Sequence, residues 1–154
     1  MNDLPNALGR SEQVAMRMGY LCIVQGIITR MAASGTAMQG FAVAIPSAML
    51  ALSATQDARF HWAFFLMPGL TLLVLHAYFL RQERTFIRLY NIGAAQPLER
   101  VLMPIIDASR LRQVREPWMV ALASPSVTVF HLSVTFAFVL SYLYAKGGDR
   151  CFLM

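Results

Sequence analysis

Three long apolar runs, none of which contains Asp, Glu, Lys or Arg, constrain this chain more than any other feature of its sequence. They cover residues 36–54, 60–80 and 126–145. A transmembrane helix needs roughly 20 mostly apolar residues, and each run ends at a polar segment, TQDAR, RQER and KGGDR in turn. The runs therefore predict an all-α membrane protein with three transmembrane helices, in which residues 1–154 form a single membrane domain.

The composition favours a membrane protein over a soluble one. Hydrophobic residues make up 57% of the chain and charged residues 14%, whereas soluble domains average about 45–50% and about 25%. Cys22 and Cys151 lie far apart and form no disulfide framework or zinc pattern. The sequence has no phosphate-binding glycine loop and no serine with a visible base partner. It therefore predicts no metal, no cofactor and no catalytic residue.

The segment 10–33 is predicted to form an amphipathic helix. Its apolar stretch lies between Arg17 and Arg30 and is too short to cross a bilayer. One face carries Tyr20, Ile23, Val24, Ile27, Ile28 and Met31, and the other carries Gln25, Gly26, Thr29 and Arg30. Such a helix lies at the membrane interface or against the helix bundle. A fourth membrane span within residues 14–32 is the alternative.

The distribution of Lys and Arg predicts the orientation in the membrane. Ten of the 13 basic residues precede the first span or follow the second. These ten are Arg10, Arg17, Arg30, Arg81, Arg84, Arg88, Arg100, Arg110, Arg112 and Arg115. Arg59, Lys146 and Arg150 lie on the other side. The positive-inside rule then places the N-terminus and the loop 81–125 in the cytoplasm and the C-terminus outside the prokaryotic inner membrane.

A basic stripe, Arg81, Arg84 and Arg88, follows the second span. We expect this span to continue into the cytoplasm as a helix to about Asn91, with the three arginines on one side. Two interpretations stay open. The arginines hold the helix end by contacting lipid phosphates, or their guanidinium groups bind the phosphates of a nucleotide or lipid ligand.

A polar cluster of Gln25, Arg30 and Glu83 is predicted beside the stripe. The polar face of the amphipathic helix and the extended end of the second span are expected in the same cytoplasmic layer. Arg30 and Glu83 are then expected to form an ion pair, or Glu83 to pair with a neighbouring subunit.

Small residues in the first span predict close helix packing. Gly40, Ala44 and Ala48 recur at four-residue spacing and form a ridge that lets another helix approach. Three spans make a thin bundle, so we expect a homo-oligomer. Pro46 and Pro68 are each expected to kink the helix that carries them.

Two histidines, His76 and His131, lie within the predicted spans, and His61 lies near the outer interface. Ionisable groups inside a membrane are candidates for a functional role. Each histidine either forms a hydrogen bond to a neighbouring helix or is a group that responds to protons or to a ligand.

Two segments carry a family resemblance: IVQGIITRMAASGTAMQGFAVAIPSAMLALSA and HAYFLRQERTFIRLYN. They resemble a widespread family of small, largely uncharacterised prokaryotic inner-membrane proteins. The family pattern reads Q-x-I-I-x-R-M-A, then N-S-F and K-G-W, an alanine-rich span, and D-A-Y-Y/F-L-R-Q-E-R-L-F-R-x-L-Y. Residues on the pattern are Gln25, Arg30, Met31, Ala32, Gly40, Tyr78, Arg81, Gln82, Glu83, Arg84, Arg88 and Tyr90. The chain departs from it where SGTAMQGF replaces the N-S-F and K-G-W elements, so that Gln39 stands where Lys is usual, and at His76, where Asp is usual.

The layout is also similar to SLATT-type membrane effectors, which are encoded beside prokaryotic antiviral systems. This similarity implies an oligomeric inner-membrane effector or pore that responds to a cytoplasmic partner or ligand and is not an enzyme. A non-enzymatic scaffold that recruits a soluble partner is a second hypothesis. A third is a membrane-embedded enzyme of glutathione-transferase-like type, whose E-R…R…N signature is similar to QERTFIRLYN. The expected partners are lipids, further copies of the chain and a cytoplasmic protein, without direct nucleic-acid binding.

Overall fold

The structure is a computed structural model that describes residues 9–53, 63–98, 106 and 108–151. The secondary-structure elements of this part of the chain are all α-helices. Its helices are α1 (Arg10–Ser53), α2 (Ala63–Ala95), α3 (Ala108–Val114), α4 (Trp118–Leu122) and α5 (Pro125–Cys151). The all-α prediction is confirmed for these residues. Ala54, Arg59, residues 60–62 with His61, and residues 99–105 with Arg100 lie outside the described part.

The first turn of α1 is capped by its own side chains. The carbonyl of Gly9 accepts the backbone N–H groups of Glu12 and Gln13 at 3.0 and 3.1 Å. In return, Oε2 of Glu12 accepts the backbone N–H of Gly9 at 3.0 Å. A carboxylate at the third helical position thus satisfies the N-cap N–H, as in a capping box. Its negative charge also favours this end of the helix.

The predicted helix 10–33 and the predicted span 36–54 form one helix, α1. A glycine inside a helix costs only about 1 kcal/mol relative to alanine, so Gly35 alone does not end it. Helix is also maintained through Pro46 in α1 and Pro68 in α2. The second span continues past residue 80, as predicted, and α2 ends at Ala95 rather than near Asn91.

The chain divides into two compact units. Unit 1 comprises Met1–Ala33 and Phe79–Pro117, and unit 2 comprises Ser34–Tyr78 and Trp118–Met154. Each unit therefore contains one part of α1 and one part of α2.

The core of unit 1 forms between α1 and α2. Tyr20, Val24 and Leu89 are buried, and around them pack Leu21, Ile28, Phe86, Tyr90, Ile106 and Leu111. Tyr20, Val24 and Ile28 recur at four-residue spacing, which places them on one helical face. Ile23, assigned to the same apolar face from the sequence, is 46% exposed. The face of α1 that packs in unit 1 is therefore narrower than the apolar face predicted from the sequence.

Unit 2 has a core of mainly small and polar side chains. Among the residues buried there are Ala42, Leu72, Ala77, Ala121 and Val127, together with His76, Ser124 and His131. Ser124 is the N-cap residue of α5: its carbonyl accepts the N–H groups of Val127 and Thr128 at 3.0 and 2.8 Å. Pro125 occupies the first helical position, where its missing N–H is not needed. Large apolar side chains such as Phe41, Leu70, Leu132 and Phe136 are exposed instead.

Two described stretches are long and apolar enough, by length and composition, to cross a membrane: Arg10–Leu52 of α1 and Pro125–Leu143 of α5. Only 17% and 11% of their most apolar windows are buried. The core helix of a soluble protein is mostly buried, so this exposure favours membrane association. The predicted span 60–80 begins outside the described residues, and the number of spans stays a prediction.

Candidate functional site

The basic stripe of α2 converges on one buried acid, Glu116, which lies between α3 and α4. Arg88 Nη2 is 2.7 Å from Glu116 Oε1, and Arg84 Nη1 is 3.3 Å from Oε2. Arg81 Nε donates to the backbone carbonyl of Glu116 at 2.7 Å. Glu116 is only 5% exposed. Its carboxylate is therefore held inside unit 1 by two charge-assisted hydrogen bonds.

Helical spacing produces this convergence. Arg81, Arg84 and Arg88 lie three and four residues apart, so α2 presents them on one side. Arg88 Nη1 also donates to the carbonyl of Val114 at 3.4 Å. Val114 ends α3, whose last carbonyls have no partner within the helix. The stripe thus binds both the end of α3 and the acid that follows it.

The role predicted for the stripe, as a site for phosphate or lipid headgroups, stays a prediction. Arg84 and Arg88 meet the carboxylate of Glu116, and Arg81 meets its backbone carbonyl. Sequence reasoning missed Glu116. A usable signal was its position in E-P-W, just before the third apolar run, as Arg81 stands just after the second.

The predicted polar cluster of Gln25, Arg30 and Glu83 is not joined by an ion pair. The arginines of the described residues that pair with Glu116 are Arg84 and Arg88, and no ion pair between the described residues joins Arg30 to Glu83. Because α1 packs through the face of Tyr20, Val24 and Ile28, Gln25 and Arg30 lie outside that contact and are exposed. The expected Arg30–Glu83 pair is therefore not formed in this structure.

Arg17 makes a further contact within unit 1. Its Nη2 donates to the carbonyls of Gln96 and Pro97, the second at 2.9 Å. These carbonyls directly follow the end of α2, where a positive charge is favourable. A cavity of about 210 Å³ lies nearby, lined by Tyr20 and Gln96, among others.

The two predicted intramembrane histidines meet in unit 2. His76 Nδ1 lies 3.2 Å from His131 Nε2, and Gln39 Nε2 lies 3.3 Å from His76 Nε2. The histidines are 4% and 6% exposed. We call Gln39, His76 and His131 the histidine chain. It is a row of side-chain hydrogen bonds that links α1, α2 and α5.

Aromatic and backbone contacts fix the imidazole rings. The ring of Phe130 stands nearly perpendicular to both, with centroids 5.2 Å from His131 and 6.2 Å from His76. Gly35 is buried beside them, and a Cβ at this glycine would lie 3.9 Å from His76 Cδ2. A side chain longer than that of alanine at this position would therefore press on the imidazole of His76.

The contact between Gln39 and His76 was not predicted from the sequence. The two residues lie 37 positions apart, on α1 and α2, and no local periodicity records a pairing at that separation.

The small-residue ridge of α1 faces outward. Gly40, Ala44 and Ala48 are all exposed, and a Cβ at Gly40 would meet no atom within 4 Å. The described part of the chain therefore leaves the ridge uncovered.

No protein-family model, curated protein or solved structure matches this chain. Among the described residues, no group of three or more His, Cys, Asp and Glu side chains has the arrangement of a metal site. The family resemblances therefore stay predictions.

Proposed function

We propose that the protein is a non-enzymatic, homo-oligomeric effector of the prokaryotic inner membrane, pore-like in its assembled form. The observation that carries this proposal is the uncovered ridge of Gly40, Ala44 and Ala48. Lipid tails are as apolar as leucine, so helices in a bilayer associate through close packing at small residues. A second copy of the chain supplies a ridge of matching shape.

The membrane setting is supported by the apolar surface of unit 2. Large side chains such as Phe41, Leu70 and Phe136 are exposed on α1, α2 and α5. A surface of this kind is stable in lipid and prone to aggregation in water. The proposed topology has three spans, a cytoplasmic N-terminus and an outer C-terminus, and its support is the excess of Lys and Arg before and between the spans.

The proposed trigger is a cytoplasmic protein or ligand that acts on unit 1. Several arginines of this unit are exposed, namely Arg10, Arg30, Arg110, Arg112 and Arg115. Such a surface attracts acidic partners and anionic lipid headgroups. The proposed biological setting is antiviral defence, and its support is the similarity of the layout to SLATT-type effectors.

The exposed arginines of unit 1 equally favour a scaffold that recruits an acidic soluble partner, and this is our second candidate function. The glutathione-transferase-like alternative is less favoured. The arginines that match its E-R…R…N signature, Arg84 and Arg88, are engaged with Glu116.

The mass of the purified protein in detergent tests self-association. We expect the wild type to be an oligomer and Gly40→Leu or Ala44→Leu to lower the mass, because leucine separates the backbones. Gly26→Leu is the matched control, since Gly26 lies on the same helix with nothing within 4 Å of its Cβ position. A monomeric wild type, or an unchanged mass in both ridge variants, contradicts the proposal.

The membrane potential of intact cells separates the effector from the scaffold. Expression of the wild type is expected to depolarise cells, and Gly40→Leu is expected to abolish the effect. Normal potential together with a co-purifying acidic protein would support the scaffold. Full depolarisation by a variant that is monomeric would contradict an oligomeric pore.

A further inference from the structure

A cavity of about 300 Å³ lies within unit 2, between α1, α2 and α5. Its lining is mostly aliphatic and aromatic, with Pro46, Leu73 and Phe138 as examples. The volume is at the lower end of the about 300–1,000 Å³ typical of small-molecule sites. Such sites combine apolar walls with a few placed polar groups, and His131 is one of the few polar residues of this lining.

One ring nitrogen of His131 is left without a protein partner. Its Nε2 is engaged with His76, and no hydrogen bond of the described residues involves its Nδ1. Every fully buried side-chain nitrogen and oxygen of the described residues has a partner. The unpartnered Nδ1 is therefore not sealed in the core, although the residue is only 6% exposed. The cavity is the space that His131 lines.

The orientation of the Gln39 amide sets which nitrogen carries the proton. Gln39 presents its amide nitrogen to Nε2 of His76, and with the amide turned this way it donates and Nε2 accepts. A neutral imidazole has one donor and one acceptor, so Nδ1 of His76 donates to Nε2 of His131. His131 then carries its own proton on Nδ1. His131, as a lining residue, then brings one N–H donor to this part of the unit, and the lining also contains the hydroxyl residues Thr135 and Tyr142.

The lining is elongated. On α5 it runs from His131 to Leu143, which at 1.5 Å per residue corresponds to about 18 Å. His131 marks one end of this stretch, and the side chains beyond it are mostly apolar. A ligand that fits this lining has one hydrogen-bond acceptor at the end near His131 and an apolar tail along the remaining side chains.

We propose that this cavity binds a lipid-soluble carbonyl compound, a ketone or quinone with an unbranched apolar tail, whose carbonyl oxygen accepts the Nδ1–H of His131. A carbonyl has no proton of its own to donate, which suits a site with a donor. This binding site is separate from the small-residue ridge and does not depend on the proposed oligomeric function.

Binding is tested on the purified full chain in lipid nanodiscs. The probes are a twelve-carbon methyl ketone, labelled at its carbonyl carbon for NMR, and the twelve-carbon alkane. We expect saturable binding of the ketone, with a shifted carbonyl resonance, and weaker binding of the alkane. His131→Phe keeps the aromatic ring and removes the donor, so affinity for the ketone should fall about threefold to tenfold, as for one lost hydrogen bond.

Two further measurements keep the test decisive if His131→Phe fails to fold. Val134→Phe fills the cavity that Val134 lines and should abolish binding, whereas Leu132→Phe, at a position 64% exposed, should not. NMR of ring nitrogens in isotope-labelled wild type should show the proton of His131 on Nδ1. Equal binding of ketone and alkane, or a proton on Nε2 of His131, overturns the proposal.

Discussion

Glu116 and Arg88 form the closest ion pair of the described part of the chain, with Oε1 2.7 Å from Nη2. The carboxylate side chain is 7% exposed, whereas Arg88 is 48% exposed. The Glu116 carboxylate is thus buried, and the side chain of Arg88 is in contact with solvent. Removing the acid leaves cations that water can still solvate. Removing the cations would leave a buried charge with little compensation.

Glu116→Gln is expected to destabilise unit 1 by about 1–3 kcal/mol, the range for hydrogen bonds to charged groups. The higher cost of breaking a fully buried pair does not apply, because Arg84 and Arg88 stay 32% and 48% exposed. Thermal unfolding in detergent measures the change. Glu83→Gln is the matched control, since it removes one acid from the same unit. Equal losses in the two variants would contradict a specific role for Glu116.

Val24→Ala is expected to destabilise unit 1 by about 2 kcal/mol, because Val24 is fully buried and its lost methyl groups leave a cavity. Ile23→Ala, at the neighbouring position, should cost much less, since Ile23 is 46% exposed. The sequence pattern placed both residues on one face, so the comparison separates packing from pattern. Denaturation of the two variants under one condition gives the answer, and similar costs would refute the packing.

Gly35 gives a pair of opposite expectations. Gly35→Ala should raise stability by up to about 1 kcal/mol, since alanine favours helix and its Cβ would meet His76 at an ordinary contact distance of 3.9 Å. Gly35→Leu should instead displace His76 and lower stability by about 1–3 kcal/mol, as overpacking does. Gly26→Leu, in open space, controls for helix propensity. A stabilised Gly35→Leu protein would show that the imidazole is not held there.

The proposed topology predicts where a periplasm-dependent reporter enzyme is active. Fused after the last residue, it should be active, and fused before the first residue it should be inactive, because ten of the 13 basic residues precede the first predicted span or lie between the second and the third. Western blots of both fusions control for expression. Activity at both ends, or at neither end, is incompatible with three spans.

Local pattern predicted much of the helical structure. The apolar run before Arg81 and the arginine spacing after it predicted one helix that continues beyond the second span. The helix α2 (Ala63–Ala95) extends beyond residue 80 in this way. The segment that became α5 was predicted to begin at residue 126, one residue after its start. These features depend on composition and spacing along one helix, and both are readable from a single sequence.

The partners of the polar residues were harder to predict. The three stripe arginines were correctly placed on one side of a helix, yet they were expected to meet phosphates, and the acid expected beside them, Glu83, was assigned to Arg30. The acid that Arg84 and Arg88 bind is Glu116. Glu83 is close in sequence, whereas Glu116 lies 28 residues beyond Arg88. A pairing at that separation depends on how the chain returns after α3, and no local periodicity records it. His76 and His131, 55 residues apart, were identified singly for the same reason.

The separation between Arg88 and Glu116 also sets an order of events during synthesis. The ribosome makes the arginine stripe first and reaches Glu116 28 residues later, a delay of about one to six seconds at about 5–20 residues per second. Through that interval the stripe has full positive charge and no carboxylate from Glu116. The proposed topology depends on charges of this kind, because Lys and Arg beside a span favour the cytoplasmic side. On that topology Arg84 and Arg88 have two roles, as uncompensated charges in the nascent chain and as ion-pair partners of Glu116 in the folded protein.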